Sequence, residues 1–382
     1  MVVIPMRVVF TVLGFFGIMF TFALKANLGI AIVSMVNHTA IAIRRNQSKE
    51  SSNITEFLVI ALSDDVVEPT VKDGAFIWSS QLQGVIVSSY FWGYLIGQVP
   101  GGRLAEELSA KWAFYGGVSC HIIGTLLTPL AVYLHFCLAI TVRVIEGVAG
   151  GFTFPSMHFL LTKWAPPHER ATMTSCIYTG APIGIVTSLL LTGTIAHYVN
   201  WETSFYILGG IGLPWMALWP ILVSDSPLNN KLIREKELRY LRAALNLTSD
   251  KRTMTVPWKA IFSNAIVWIL IISHVSLAWG WNISLTQLPL YMNMVLKFKM
   301  DENGAVTALP FFCMFLFSIG WGKVTDLLTK KGKLSVTNIR KLSTVFSAGM
   351  PVICCTMIPL FTNRILDSCK CTWISHPILQ AH

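Results

Sequence analysis

Apolar residues along this chain come in long unbroken runs rather than in short alternating stretches. About nine runs stand out, at about 8–36, 76–99, 112–133, 136–161, 171–197, 203–223, 263–293, 304–327 and 342–362. Each is near or above the ~20 residues with which an α-helix crosses ~30 Å of hydrocarbon. They are too long for barrel strands, and a helix is the other structure that satisfies its own backbone in lipid. The pattern predicts an all-α, multi-pass membrane protein. The first run exceeds the apolar core of a signal peptide and lacks a clear cleavage site, so it reads as the first span.

The polar segments between the runs set an expected orientation. The segment 38–75, with Asn37 just before it, carries the sequons Asn37-His38-Thr39, Asn46-Gln47-Ser48 and Asn53-Ile54-Thr55. Three sequons together favour a lumenal or extracellular loop, with Asn37, Asn46 and Asn53 as expected glycosylation sites. Basic residues gather in the other loops: Arg103 and Lys111, Lys163 and Arg170, a run from Lys231 to Lys259, and Lys330, Lys331, Lys333, Arg340 and Lys341. Basic loops stay on the cytosolic face, which puts the N-terminus there too. The chain then divides into a six-helix bundle (1–223), a cytosolic linker (224–262) and a shorter second bundle (263–382). Within the linker, KLIREKELRYLRAALN places Leu232, Leu238, Leu241 and Leu245 on one helical face, as in an interfacial helix.

Composition narrows the function. The chain is 53% hydrophobic and 13% charged, against roughly 25% charged in soluble domains. The net charge of +10 lies in short loops, so it points to orientation in the bilayer and not to nucleic acid. The eight cysteines form no disulfide framework or metal-ligand spacing. No nucleophile constellation is present, so neither an enzyme nor a cofactor is expected.

Two loops share a pattern. GGRLAEELSAK follows the second run and GKVTDLLTKKGK the eighth. Both start with glycine and a basic residue, then carry an acid that can face a helix N-terminus. The repeat hints at duplication and resembles the loop motif of the major facilitator superfamily. TKWAPPHER (162–170), with FPSMH before it, is similar to the signature of the anion/cation symporter family within that superfamily. That family includes sialin, the vesicular glutamate transporters and the sodium/phosphate cotransporters. SSYFWGYLIGQVPGG (88–102), ALKANLGIAIVSMVN (23–37), VPWKAIFSN (256–264) and LTQLPLYM (285–292) resemble other blocks of it. The resemblance runs over about 8–362 and is strongest to insect-type phosphate cotransporters and sialin.

The resemblance implies twelve spans in two halves, with a site between them that opens to alternate sides. About nine are expected here, and the tail NRILDSCKCTWISHPILQAH does not resemble the family. The implied function is secondary active transport of a small organic anion or inorganic phosphate, coupled to H⁺ or Na⁺. The partners are that anionic solute and the lipid bilayer. The alternative is a truncated, non-transporting isoform that binds or regulates a full-length membrane partner.

Residues inside the runs carry the candidate chemistry. Arg143 and Glu146 lie in the fourth run, in LAITVRVIEGVAGGFTF. A charge at that depth costs several kcal/mol and faces a cavity or a partner. At i,i+3 the two share a helix face, so an ion pair that only positions helices is one reading. The resemblance implies another, in which Arg143 holds the anion and Glu146 carries a proton. Gly150 stands where sialin-like members have a second glutamate. Lys25 stands where the family commonly has arginine, and is either a second cationic clamp or a side chain reaching for the interface. Tyr94 and Tyr178 are implied to orient the anion. His121, His158 and His274 read as single residues for packing or helix contacts and not as a proton relay, and Glu169 with Arg170 as a rigid charged turn after Pro166 and Pro167. Trp279, Trp281, Asn282 and Gln287 are expected to line the second half.

Overall fold

The computed structural model describes residues 5–37, 40, 41, 74–245, 257–276, 278, 300–331, 335, 337–339 and 341–345. They fall into two compact units, Met1–Pro257 with Leu285–Asp326, and Trp258–Ser284 with Leu327–His382. The first unit holds α1 (Met6–Met35), α2 (Ser80–Leu104), α3 (Ala110–Leu134), α4 (Phe136–Trp164), α5 (Arg170–Tyr178), α6 (Gly180–Tyr198), α7 (Trp201–Leu222) and α8 (Glu235–Leu245). The second contains the short helices α9 (Trp258–Phe262) and α10 (Ala265–Ser276). A long helix, α11 (Met300–Lys331), contributes to the first unit as far as Asp326.

Six helical stretches among the described residues are long and apolar enough to cross a membrane. One of them, Gln81–Leu134, is 54 residues long, or roughly 80 Å at 1.5 Å per residue, enough for two passes. Extended backbone at Ser109 (φ −166°, ψ 119°) separates those passes. The open loop expected between the second and third runs is therefore replaced by a π-helical turn, Ala105–Ser109. Arg103 pairs there with Glu106 at 3.0 Å and with Glu107. The fifth run departs in the other direction. It is two helices, α5 and α6, divided at Thr179.

Glycines set how closely the helices approach. A Cβ on Gly93 would lie 2.0 Å from the Val144 carbonyl oxygen, and one on Gly147 would lie 2.0 Å from that of Tyr90. Lipid offers no hydrophobic drive between helices, so tight backbone packing of this kind supplies much of the attraction. It holds α2 against α4 from Val144 to Pro155. Gly180 and Gly184 bring α6 onto α1 in the same way, against the carbonyls of Phe15 and Met19.

One end of the bundle is closed by aromatic rings and helix caps. Phe10 stacks on Trp164 at 5.3 Å, and Phe114, Trp215 and Trp219 complete the cluster. Each buried indole N–H donates to a carbonyl: Trp164 to Ser224, Trp215 to Leu13 and Trp219 to Lys111. Asp225 caps α3 by accepting from Ser109 Oγ at 2.6 Å and Lys111 N at 2.9 Å. Asp326 does the same for α5, accepting from Ala171 N at 3.2 Å and Thr172 N at 2.7 Å. The acid of the second loop thus meets a helix N-terminus, whereas the first loop's acids turn back onto Arg103. Glu169 pairs with Arg7 at 3.3 Å.

The linker helix begins at Glu235, so Leu232 lies outside it and is exposed. Leu241 is its buried contact. Glu237 reaches the start of α1, where its carboxylate accepts from Met6 N at 2.9 Å and Arg7 N at 3.1 Å. The Arg7 guanidinium also lies over the Tyr240 ring.

Candidate anion site

Arg143 is the eighth residue of α4 and is 3% exposed; Glu146 is 1% exposed. Arg143 Nη1 donates to Glu146 Oε2 at 2.7 Å, as the i,i+3 spacing allows. Arg143 Nη2 donates to the carbonyl of Lys25 at 3.2 Å, which ties α4 to α1. The pair is not saturated. Arg143 Nε and Glu146 Oε1 are buried with no hydrogen-bond partner among the described residues. The guanidinium therefore keeps a donor in reserve, and the carboxylate an acceptor.

Lys25 lies ten residues before the end of α1 at Met35, about 15 Å along the axis. Its ammonium turns into the bundle and does not reach for the interface. It sits over the rings of Phe91 (4.6 Å), Tyr90 (5.0 Å), Phe22 (5.6 Å) and Tyr94 (5.7 Å). Ring faces attract a desolvated cation but leave its full charge in place. No carboxylate lies within ion-pair distance of Lys25 among the described residues. The local sum is two cations, Lys25 and Arg143, against one carboxylate, Glu146.

The cage has its own support. Tyr90 stacks on Tyr94 at 6.0 Å, and its hydroxyl meets His121 Nε2 at 3.1 Å. His121 Nδ1 lies 2.8 Å from the Gly117 carbonyl, so Nδ1 must be the donor there. The neutral ring then accepts the Tyr90 proton at Nε2. His121 is fully buried and ties α3 to α2, a helix contact of the kind expected of it. A Cβ on Gly150 would lie 2.3 Å from the Tyr90 hydroxyl and 3.0 Å from the His121 ring. The space beside α4 where a longer side chain would go is filled by this tyrosine–histidine pair.

Tyr178 closes α5 one residue before the break at Thr179. Its ring stacks on Phe154 at 5.4 Å and lies 5.0 Å from His158. Its hydroxyl is buried and without a partner among the described residues. Phe154 meets Phe22, a wall of the cage, at 5.9 Å. Tyr178 is thus linked to Lys25 through two rings and not by direct contact.

Some expected residues fall elsewhere. Asn37 lies two residues beyond the end of α1, and its Oδ1 accepts from Ala40 N at 2.7 Å. Asn46, Asn53, Trp279, Trp281, Asn282 and Gln287 lie outside the described residues. Asn27 was not anticipated. It is fully buried two residues from Lys25, and its Oδ1 accepts from Thr192 Oγ1 at 2.8 Å and Ser204 Oγ at 3.2 Å. An asparagine deep in the first run was the available signal. Among the described residues no group of three or more His, Cys, Asp or Glu side chains could hold a metal ion.

A bundle of apolar helices with unbalanced positive charge at its centre describes a membrane carrier of solutes. The chain belongs to the Major Facilitator Superfamily, whose family model matches residues 8–367. It is 34% identical to sialin of Homo sapiens over 344 residues, which is 90% of this chain and 68% of that protein. It is 33% identical to the "Putative inorganic phosphate cotransporter" of Drosophila melanogaster over 87% of this chain and 62% of that one. Vesicular glutamate transporter 1 of Xenopus tropicalis is 28% identical over 91% of this chain and 57% of its own length. The chain thus spans about two thirds of the sialin sequence and less of the other two.

Proposed function

We propose that this chain forms the substrate-binding part of a secondary transporter for a small anion, an organic acid or inorganic phosphate. The observation that carries the reading is the charge sum inside the membrane-spanning helices. Among the described residues Lys25 has rings for neighbours and no carboxylate, while Arg143 retains an unpartnered Nε–H. A carboxylate or phosphate entering between them would balance the charge. It would also meet the forked donors of a guanidinium, which suit both groups. The names of the sialin, glutamate and phosphate relatives support the same chemical class.

Arg143 and Lys25 are the anion-holding pair in this reading, with Tyr94 orienting the ligand. Tyr178 acts from the far side of Phe154. Glu146 is the group that takes and releases a coupling proton. Protonating it would free Arg143 for substrate, and losing substrate would return Arg143 to Glu146. This exchange of partners supports H⁺ over Na⁺ as the coupling ion. The N-terminus is cytosolic, on the side where Arg7, Glu169 and Glu237 join, and Asn37, Asn46 and Asn53 face the lumen. The membrane is lysosomal, vesicular or plasma.

The test is uptake into proteoliposomes. Labelled phosphate, sialic acid and glutamate are offered separately, under an imposed proton gradient and then a sodium gradient. Uptake of at least one anion driven by the proton gradient is expected. Failure of all three, with no anion stabilising the purified chain against heat, would overturn the reading.

A further inference from the structure

Lys25 carries its charge inside the spanning helices, and among the described residues no carboxylate lies within ion-pair distance of it. A cation at that depth is costly and needs other company. Four rings supply it, and they are not held alike. Phe22 and Phe91 have no polar group with which to be fixed, and Phe91 is 48% exposed. Tyr90 is 2% exposed and is held at its far end by a third helix. Its hydroxyl donates to His121 Nε2 at 3.1 Å, and His121 Nδ1 donates to the Gly117 carbonyl at 2.8 Å. The Tyr90 ring centre lies 5.0 Å from Lys25 Nζ. A continuous polar path therefore runs from the backbone of α3, through the imidazole and the phenol of α2, to the ammonium of α1. Hydrogen bonds in series polarise one another where water is excluded. A phenol that donates its proton gains electron density on its ring, and a cation is drawn to that ring electrostatically.

We propose that His121 is a positioning residue of the anion site. It touches neither the anion nor Lys25. It acts through Tyr90, fixing the ring and enriching its face, so that the Lys25 ammonium stays turned into the bundle while the site is empty. The role rests on the reading of Lys25 as an anion-holding cation. It involves no change of protonation, because both ring nitrogens of His121 are already engaged. A neutral imidazole suits the task, since it sets one donor and one acceptor at opposite ends of a rigid ring. A carboxylate in its place would pair with Lys25 or Arg143 and cancel the charge that draws the anion. Gly150 leaves room for the contact, since a Cβ there would meet both the Tyr90 hydroxyl and the His121 ring.

The test follows Lys25 in the whole purified chain in detergent. Reductive methylation with formaldehyde and dimethylamine–borane, read by mass spectrometry of the peptide that carries Lys25, reports how firmly the amine is held and needs no anion. His121→Leu and Tyr90→Phe should each speed methylation roughly two- to ten-fold, the range that one lost hydrogen bond covers. The double variant should react no faster than either single one, because both changes cut the same path. His121→Gln keeps an acceptor for the Tyr90 hydroxyl and should restore most of the parent rate. Asp326→Ala, which loosens the bundle at the start of α5, should leave the rate as it is. The dissociation constant of whichever anion the parent binds, phosphate, sialic acid or glutamate, should rise by a similar factor in His121→Leu and recover in His121→Gln. Methylation unchanged in the folded variants would overturn the proposal. So would effects that add in the double variant, or an equal rise in Asp326→Ala. If the leucine variant does not fold, Tyr90→Phe decides. A parent chain that binds none of the three anions would count against the anion reading, and the methylation rates would still show whether His121 holds Lys25.

Discussion

Removing Glu146 alone, as Glu146→Ala, strands the Arg143 guanidinium where it is 3% exposed. Its remaining protein contact would be the Lys25 carbonyl at 3.2 Å. Breaking a buried pair from one side costs about 3–5 kcal/mol, because an uncompensated charge stays behind. At roughly 2–4 °C per kcal/mol for a bundle of this size, the melting midpoint should fall by roughly 6–20 °C. Arg143→Met should cost a similar amount, leaving a bare carboxylate. The double variant Arg143→Met/Glu146→Met removes both charges together, and apolar replacement of a buried pair is often neutral or stabilising. Its midpoint should return close to that of the parent chain. This cycle separates two roles that a single substitution confuses. Midpoints of all four proteins are read by size-exclusion after heating in detergent, with and without phosphate, sialic acid or glutamate. If Arg143 holds the anion, the stable double variant gains nothing from any of them and carries none into vesicles. A double variant that is stable and still stabilised by the anion would refute the binding role and leave the pair as a structural brace. Equal destabilisation of the single and double variants would refute the buried, mutually compensating geometry itself.

Lys25→Met should leave stability unchanged or raise it, since it removes a membrane-buried cation that has no carboxylate, while anion-dependent heat stabilisation is lost; a marked fall in the melting midpoint would show the ammonium to be a structural tie. Gly150→Ala forces a methyl to 2.3 Å from the Tyr90 hydroxyl and should cost about 1–3 kcal/mol as overpacking. Adding Tyr90→Phe should recover most of that loss on the same melting curves, and absence of rescue would place the strain elsewhere. Asp326→Ala leaves the first amides of α5 uncapped and should destabilise by about 0.5–2 kcal/mol. Hydrogen exchange should rise at Ala171 and Thr172, and unchanged exchange there would dispose of the cap.

What the sequence reveals follows from which interactions are local. Arg143 and Glu146 could be paired from their spacing alone, because i,i+3 neighbours share a helix face whatever surrounds them. The spans of the first bundle were equally legible, since hydrocarbon thickness sets helix length, whereas residues 279–293 and most of the run 342–362 lie outside the described residues. The cage around Lys25 was not. It needs Phe22 from its own helix and Tyr90, Phe91 and Tyr94 from another, and no pattern in either segment states the rotation between the two. Gly150 could be seen as unusual, but that Tyr90 and His121 fill the adjacent space depends on three helices meeting. The break at Thr179 is hidden because the apolar run continues across it. Gly93, Gly97 and Gly101 did carry a usable signal, since small residues at four-residue spacing mark one helix face for close contact with a neighbour.

The clasp of Glu237 on the first turn of α1 also bears on how the chain is made. Met6 and Glu237 are 231 positions apart. At roughly 5–20 residues per second, synthesis takes on the order of ten to fifty seconds to cover that distance. Throughout that interval the amides of Met6 and Arg7 lack the carboxylate that caps them in the folded chain. Glu169, the ion-pair partner of Arg7, emerges earlier than Glu237. The first helix is therefore held by a side-chain ion pair before its backbone is capped. The cap on α1 is completed only after all six apolar runs of the first bundle have been made.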